Sequence, residues 1–172
     1  MTPSPLPPNE QQRLEDLYSY DILDTESEQD FDELVELANL VCGTQMSLVA
    51  LMDEHRQWNK ASMGYPVSET PRELTICTHA MLANDLFIVE NALEDERFRN
   101  LPGVQNDPMV RFYAGAPIIS EKGFALGTVC VFSSTPGQLT EVQKSTLQRL
   151  ARQAALLLEF RKKNSLLKTI AR

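Results

Sequence analysis

Residues 110–132 read VRFYAGAPIISEKGFALGTVCVF. Two apolar runs, 110–119 and 124–132, flank the polar tetrapeptide SEKG, which contains one glycine. Because a link of four residues is too short to cross over a sheet, the two runs are predicted to pair as an antiparallel hairpin. This hairpin anchors the predicted sheet.

Three further strands are predicted before the hairpin. Residues 46–52 form a continuously apolar run, which is typical of a central strand covered on both faces. A turn at 53–55 connects it to a predicted antiparallel neighbour at 57–62. The long segment that follows is irregular, with a short helix expected at 78–84 and a short strand at 87–90.

Two helices are predicted on the N-terminal side of the sheet. Apolar residues recur at helical spacing over 31–42, and Gly43 is well placed as a left-handed C-cap. Thr25 and Glu28 have the spacing of a capping box for this helix. A shorter helix over 10–18, capped by Asn9, carries a narrow apolar stripe suited to docking on one neighbour.

A last helix is predicted to start at Thr140, with Gln143 at capping-box spacing, and to run to the end of the chain. The stripe that can cover the sheet consists of Leu147, Leu150, Ala151, Ala154, Leu157 and Leu158. A second stripe consists of Leu156, Phe160, Leu167 and Ile170. Because a helix that is apolar on two sides needs a second partner, we expect a homodimer through the second stripe and the N-terminal helix.

Composition narrows the function classes. The 172 residues carry a formal net charge of −8, so no nucleic-acid partner is expected. No apolar run approaches the roughly 18 residues of a membrane-spanning helix, and no signal peptide is visible, so a cytoplasmic protein without a membrane partner is expected. Cys42, Cys77 and Cys130 are widely spaced and odd in number, which predicts buried, reduced thiols rather than a disulfide framework.

Seven short motifs, in one order along the chain, resemble the GAF domain of bacterial cytosolic signalling proteins. They are DILDT at 21–25, the segment 53–64 with Trp58 and Lys60, ETPR at 69–72, CTH at 77–79, DERF at 95–98, RFYAGAP at 111–117 and LGTVCV at 126–131. The resemblance covers 10–165, with 1–9 as a proline-rich leader and 166–172 as a continuation of the C-terminal helix.

The resemblance implies an α+β fold, in agreement with the order of the predicted helices and strands. It implies a six-stranded antiparallel sheet with the N- and C-terminal helices on one face. On the other face, loops and short helices would form a pocket for a small molecule.

Six residues are candidates for binding a ligand in such a pocket: Trp58, Cys77, His79, Asp95, Arg111 and Tyr113. Cys77 and His79 supply at most two metal ligands, and Thr78 separates them, so neither a metal site nor an attached chromophore is expected. Trp58 is expected to be a core residue or a pocket wall, with Lys60 as a solvated neighbour.

Strand alternation places Arg111 and Tyr113 on one face of the sheet, where a guanidinium and a phenol could hold an anionic or planar ligand. The alternative is an internal ion pair of Arg111 with Asp95 or Glu69. Asp95 and Arg97, two apart in a predicted turn, are expected to fasten the loop to itself.

These features predict a non-catalytic sensory module. It would bind a small ligand of unknown identity, or dimerise, and relay a signal to an output domain, which the resemblance implies to be a histidine kinase or a diguanylate cyclase. No catalytic triad order, phosphate loop or cofactor motif is visible in the sequence.

Two alternatives stay open. One is a redox enzyme of the free methionine sulfoxide reductase branch of this fold, which would use Cys77 and Cys130. That chemistry needs a low-pKa thiolate with a resolving partner close by, whereas burial of Cys130 in an apolar strand raises its pKa. The other alternative is a structural dimerisation domain with an empty pocket.

Overall fold

In the computed structural model, which describes residues 4–171, six strands form one antiparallel sheet. The strands are β1 (Met46–Met52), β2 (Arg56–Met63), β3 (Glu69–Pro71), β4 (Phe87–Val89), β5 (Phe112–Ile119) and β6 (Ala125–Ser133). Their spatial order is β3-β2-β1-β6-β5-β4, and the predicted hairpin forms as β5 and β6. β3 is the strand that no residue pattern predicted, because three residues are too few to show a period.

Five α-helices accompany the sheet in the described part of the chain. They are α1 (Glu10–Tyr18), α2 (Gln29–Cys42), α3 (Cys77–Ala80), α4 (Pro102–Gln105) and α5 (Glu141–Ile170). α2 ends at Gly43 with a φ of 66°, and α5 begins with the predicted capping box, in which Thr140 and Gln143 bind each other's backbone N–H. The predicted capping box at Thr25 is wrong, because α2 begins only at Gln29.

The sheet carries an apolar core on each face. On one face, α1, α2 and α5 cover a core that includes Val49 and Leu51 of β1. On the other face, α3, α4 and the connecting loops form a roof over Leu48, Ala50 and Met52. Successive residues of a strand point to opposite faces, so a strand between two cores is buried throughout, and the one polar residue of β1, Ser47, donates to the carbonyl of Val35. The prediction that 46–52 is a central strand is therefore confirmed.

α5 has the two apolar sides that its sequence predicted. The first stripe lies in the core under the helix, with Leu157 partly buried. The second stripe is exposed, with Leu156 at 55 %, Phe160 at 67 %, Leu167 at 64 % and Ile170 at 79 %. This exposed side is available to a partner.

Lys60 is not the solvated residue that its sequence context predicted. Its ammonium group is fully buried and donates to the carboxylate of Glu28 at 2.5 Å and to the hydroxyl of Thr25 at 2.9 Å. Lys60 lies where the β1–β2 pairing is interrupted between Val49 and Ala50. Alternation places Lys60 on the face of Trp58, which the helices cover, so its side chain is buried against the start of α2.

Two predictions, the proline-rich leader and the continuation of the C-terminal helix, extend beyond the described residues. Residues 1–3 of the predicted leader and Arg172 at the end of the predicted helical continuation lie outside them. Within 4–171, none of the helices is both long enough and apolar enough to pass through a membrane.

Candidate functional site

A cavity of about 80 Å³ lies between the sheet and its roof. Its lining combines apolar side chains such as Leu48 and Phe132 with a few polar groups, among them Gln57, Cys77 and Tyr113. None of the described residues that line it is charged. Typical ligand pockets measure roughly 300–1,000 Å³. This cavity is smaller, and its uncharged lining suits a small, neutral molecule.

Two thiols face this cavity from opposite sides. Cys77 is the first residue of α3 in the roof, and Cys130 lies in the central strand β6. Their Sγ atoms are 3.8 Å apart, and both side chains are almost fully buried. Both cysteines are free.

Two hydroxyl groups point at the sulfur of Cys77. Tyr113 donates a hydrogen bond to Cys77 Sγ at 3.0 Å, and Thr128 does so at 3.4 Å. Tyr113 reaches the roof from β5 and Thr128 from β6. Cys77 is therefore surrounded by donors, and no carboxylate lies in the described lining of the cavity.

These contacts separate the two thiols electrostatically. The hydrogen bond from Cys130, followed by those from Thr128 and Tyr113, lowers the pKa of Cys77 against the opposing effect of burial. Burial raises the pKa of Cys130 well above its ordinary value, and donation to Cys77 acts in the same direction. Cys77 is thus the more acidic thiol of the pair and Cys130 the less acidic one.

Of the six predicted site residues, only Cys77 and Tyr113 line the cavity. His79 and Asp95 lie together in a separate cluster. The ring of His79 packs edge-on against Phe98 at 4.9 Å, and burial, with the nearby charge of Arg97, lowers its pKa. Asp95 binds Arg97 at 2.7 Å, so these two residues fasten their loop as predicted.

Arg111 lies immediately before β5, on the roof side of the sheet that Tyr113 also faces, but it does not line the cavity. Its guanidinium donates to the carbonyl of Val104 at 2.8 Å and thereby holds α4 in the roof. The alternative of an ion pair of Arg111 with Asp95 or Glu69 is wrong, since these two carboxylates each bind a different arginine. The role of Arg111 is to position the roof.

Trp58 lies in the core under the helices, on the face of the sheet opposite to the cavity. Of the two places that its sequence allowed, the structure selects the core. The neighbouring residue Gln57 points the other way and lines the cavity, which sequence reasoning missed. Its Oε1 atom is buried and accepts no hydrogen bond from the described residues. Alternation along β2 was the signal that could have identified it.

Comparison with known proteins gives a family and several relatives. The family model described as GAF domain matches residues 26–158. A cyclic di-GMP phosphodiesterase of Pseudomonas aeruginosa is 35 % identical over 153 residues, which are 88 % of this chain and 26 % of that protein. The chain thus spans about a quarter of the length of this relative.

Solved structures show the same fold at low identity. The GAF domain of an Acinetobacter phosphoenolpyruvate-protein phosphotransferase superposes with a TM-score of 0.64 at 22 % identity, over 90 % of this chain and 95 % of that one. A type II free methionine-R-sulfoxide reductase of Thermoplasma acidophilum superposes with a TM-score of 0.61 at 13 % identity, over 74 % and 88 %. At these identities the likeness concerns the fold alone.

Proposed function

The chain belongs to the GAF domain family of sensory and regulatory modules, and from this premise we propose that its cavity receives a small signal molecule and that α5 relays the signal within a dimer. The observation that carries the proposal is the position of the cavity directly across the sheet from α5. Only the thickness of the sheet, formed at this point by β5 and β6, separates a ligand on one face from the output helix on the other.

The lining of the cavity favours a neutral ligand of a few non-hydrogen atoms. Its walls are mainly apolar, and Gln57 supplies an unused hydrogen-bond acceptor. A ligand with one N–H or O–H group would satisfy that acceptor, which is costly to leave buried and unpaired. A dinucleotide or a bilin is far larger than about 80 Å³, so we do not propose the substrate of the phosphodiesterase as a ligand here.

The relay runs through β5 and β6. Tyr113 and Cys130 contribute to the cavity, whereas the next residues, Ala114 and Val131, lie in the core that α5 covers. Ala114 and Val131 are paired across the two strands. Because packed cores transmit small displacements, a shift at the cavity moves the surface on which α5 rests.

The exposed stripe of α5 is the proposed dimer interface. Its members Leu156, Phe160, Leu167 and Ile170 follow a spacing that keeps them on one side of the helix, which is the pattern of a two-stranded coiled coil. From α1, the exposed side chain of Tyr18 is available to the same interface. α5 therefore carries most of the proposed interface.

The output domain is proposed from the curated relative. That relative is named as a cyclic di-GMP phosphodiesterase, and the part that matches this chain is about a quarter of its length. This supports an output concerned with cyclic di-GMP over a histidine kinase.

Sedimentation velocity tests the dimer. We expect a dimer at micromolar concentration, and a monomer for the double variant Leu156→Asp with Phe160→Asp. Leu40→Asp is a matched control, because Leu40 is exposed on α2, outside the stripe. A monomer at every concentration of the unmodified chain would contradict the dimer.

Native mass spectrometry tests the ligand. Protein purified gently from its own host should carry a small added mass, and Gln57→Leu should lose it. No added mass, together with no thermal shift from small neutral molecules, would overturn the stable binding of a ligand in the cavity.

The contact between Cys77 and Cys130 favours a second candidate, a reductase of the free methionine sulfoxide type. Turnover of free methionine sulfoxide by the reduced protein, lost on Cys77→Ser, would establish it and overturn the non-catalytic proposal. We expect no turnover, because the cavity is too small for an amino acid and both sulfurs are buried.

A further inference from the structure

The two thiols at the cavity are close to bonding geometry although they lie 53 residues apart in the chain. Their sulfurs are 3.8 Å apart, and a disulfide bond would bring them to about 2.05 Å. Cys130 is held in the central strand β6, whereas Cys77 is in the four-residue helix α3 of the roof. To form the bond, the two sulfurs must approach each other by about 1.8 Å.

We propose that Cys77 and Cys130 form an oxidisable dithiol, and that the signal molecule received by the cavity is hydrogen peroxide or another small hydroperoxide. This inference rests on the proposed function, because it names the chemical class of the signal. The size of the cavity, its neutral lining and the position of both sulfurs in that lining carry it.

The chemistry balances with the peroxide as the oxidant. The sulfur of Cys77 attacks one oxygen of the peroxide, so that an S–O bond forms and the O–O bond breaks, and the second oxygen takes the proton that the Cys77 thiol gives up and leaves as water or an alcohol. The sulfur of Cys130 then attacks the sulfenic acid of Cys77, which forms the S–S bond and releases water with the proton of Cys130. Two thiols and one hydroperoxide give one disulfide, one water and one further water or alcohol.

The surroundings of the pair assign the two roles. Cys77 accepts hydrogen bonds from Tyr113 and Thr128, which stabilise the thiolate that attacks first. Cys130 is buried in β6 and contacts Cys77, so it is placed to act as the resolving thiol. A peroxide O–H can donate to the unused Oε1 of Gln57 in the same cavity.

The structure also explains why bulky thiols and the third cysteine would be excluded. A cavity of about 80 Å³ admits a peroxide but no tripeptide such as glutathione. The third cysteine, Cys42, lies in the core on the opposite face of the sheet, and burial raises its pKa to about 11. Cys42 therefore serves as an internal reference thiol.

Mass spectrometry of the full chain tests the proposal. Reduced protein is treated with hydrogen peroxide, unfolded, alkylated and digested. We expect one intramolecular disulfide that links Cys77 to Cys130, the loss of two hydrogen atoms, and an alkylated Cys42. Three alkylated cysteines at a peroxide dose that oxidises free cysteine would overturn the proposal, as would a disulfide that includes Cys42.

Variants separate the two steps. Cys130→Ser should stop at a sulfenic acid on Cys77, which dimedone traps, whereas Cys77→Ser should leave Cys130 a thiol. Cys42→Ser is the matched control and should form the disulfide as the unmodified chain does. Circular dichroism confirms that each variant is folded. If the Cys130→Ser protein is folded but, after treatment with peroxide, forms no disulfide and is not labelled by dimedone, the assigned roles are contradicted.

Failure of this inference and failure of the proposed function are distinguishable. If the disulfide forms but sedimentation shows only monomers, the dithiol stands and the relay through a dimer falls. If no disulfide forms but a retained ligand is found in the cavity, the sensory function stands and the peroxide is the wrong signal.

Discussion

The hydroxyl of Tyr113 occupies the space that a side chain at Gly115 would take. A Cβ at position 115 would lie 2.5 Å from the hydroxyl oxygen, closer than real Cβ contacts allow. The two residues are two apart on β5 and so share the face of the cavity. The absence of a side chain at Gly115 is what lets the phenol lie along the strand and reach Cys77.

Gly115→Ala should therefore displace the hydroxyl of Tyr113 from Cys77. We expect a loss of about 1–3 kcal/mol in the free energy of unfolding, from overpacking and a lost hydrogen bond, measured by urea denaturation. Gly103→Ala is the control, because its Cβ would meet only Pro108 Cδ at 3.8 Å. Equal stability of the two variants would contradict the close contact.

Tyr113→Phe should raise the pKa of Cys77, because it removes one of the donors that stabilise the thiolate. The rate of reaction with a small methanethiosulfonate reagent, followed against pH, should have its midpoint at higher pH than in the unmodified chain. Tyr65→Phe is the matched control, since Tyr65 lines the same cavity and packs against Phe132. An unchanged midpoint in Tyr113→Phe would show that the hydroxyl does not act on Cys77.

Lys60→Met should lower the free energy of unfolding by about 2–3 kcal/mol, because it leaves polar groups at the start of α2 without their buried donor. Lys60 binds Glu28, Thr25 and the carbonyl of Glu26. Chemical denaturation measures the loss. Lys144→Met removes an exposed ion pair and should change the free energy by less than about 0.5 kcal/mol. A similar effect of both substitutions would argue against the burial of Lys60.

Asp53→Asn should weaken the acid dependence of stability. Burial acts to raise the pKa of Asp53, but hydrogen bonds from Tyr18, Glu54 N–H and Arg56 bring it below its ordinary value of 3.8. A carboxyl group with a lowered folded pKa stabilises the fold above its unfolded pKa, and this contribution is lost as the pH falls through the folded pKa. Asp53→Asn should thus cost about 1–3 kcal/mol at pH 7 and progressively less below pH 4.

Thermal unfolding of both proteins between pH 7 and pH 2.5 measures this difference. The exposed residue Glu96 provides the control, and Glu96→Gln should follow the unmodified chain throughout. A constant gap between Asp53→Asn and the unmodified chain over this pH range would show that ionisation of Asp53 does not contribute.

The sequence by itself determined α1, α2 and α5, a short helix near α3, five of the six strands and the hairpin that places β5 beside β6, but not α4. Each of these follows from a local pattern: continuous hydrophobicity in β1, helical spacing in α2 and α5, and a short turn with a glycine. Neighbouring residues carry such signals, because periodicity and turn chemistry act over a few positions. The resemblance to a known family supplied the sixth strand and the face on which the cavity lies.

Only the tertiary structure decided which side chains meet. Strand alternation placed Arg111 and Tyr113 on one face, but it did not show that the guanidinium binds the carbonyl of Val104 in the roof and stays outside the lining of the cavity. The contact of Cys77 with Cys130 joins a roof helix to a central strand, and no spacing in the sequence encodes it. Contacts of this kind depend on how layers pack, which is a property of the whole core rather than of any local pattern.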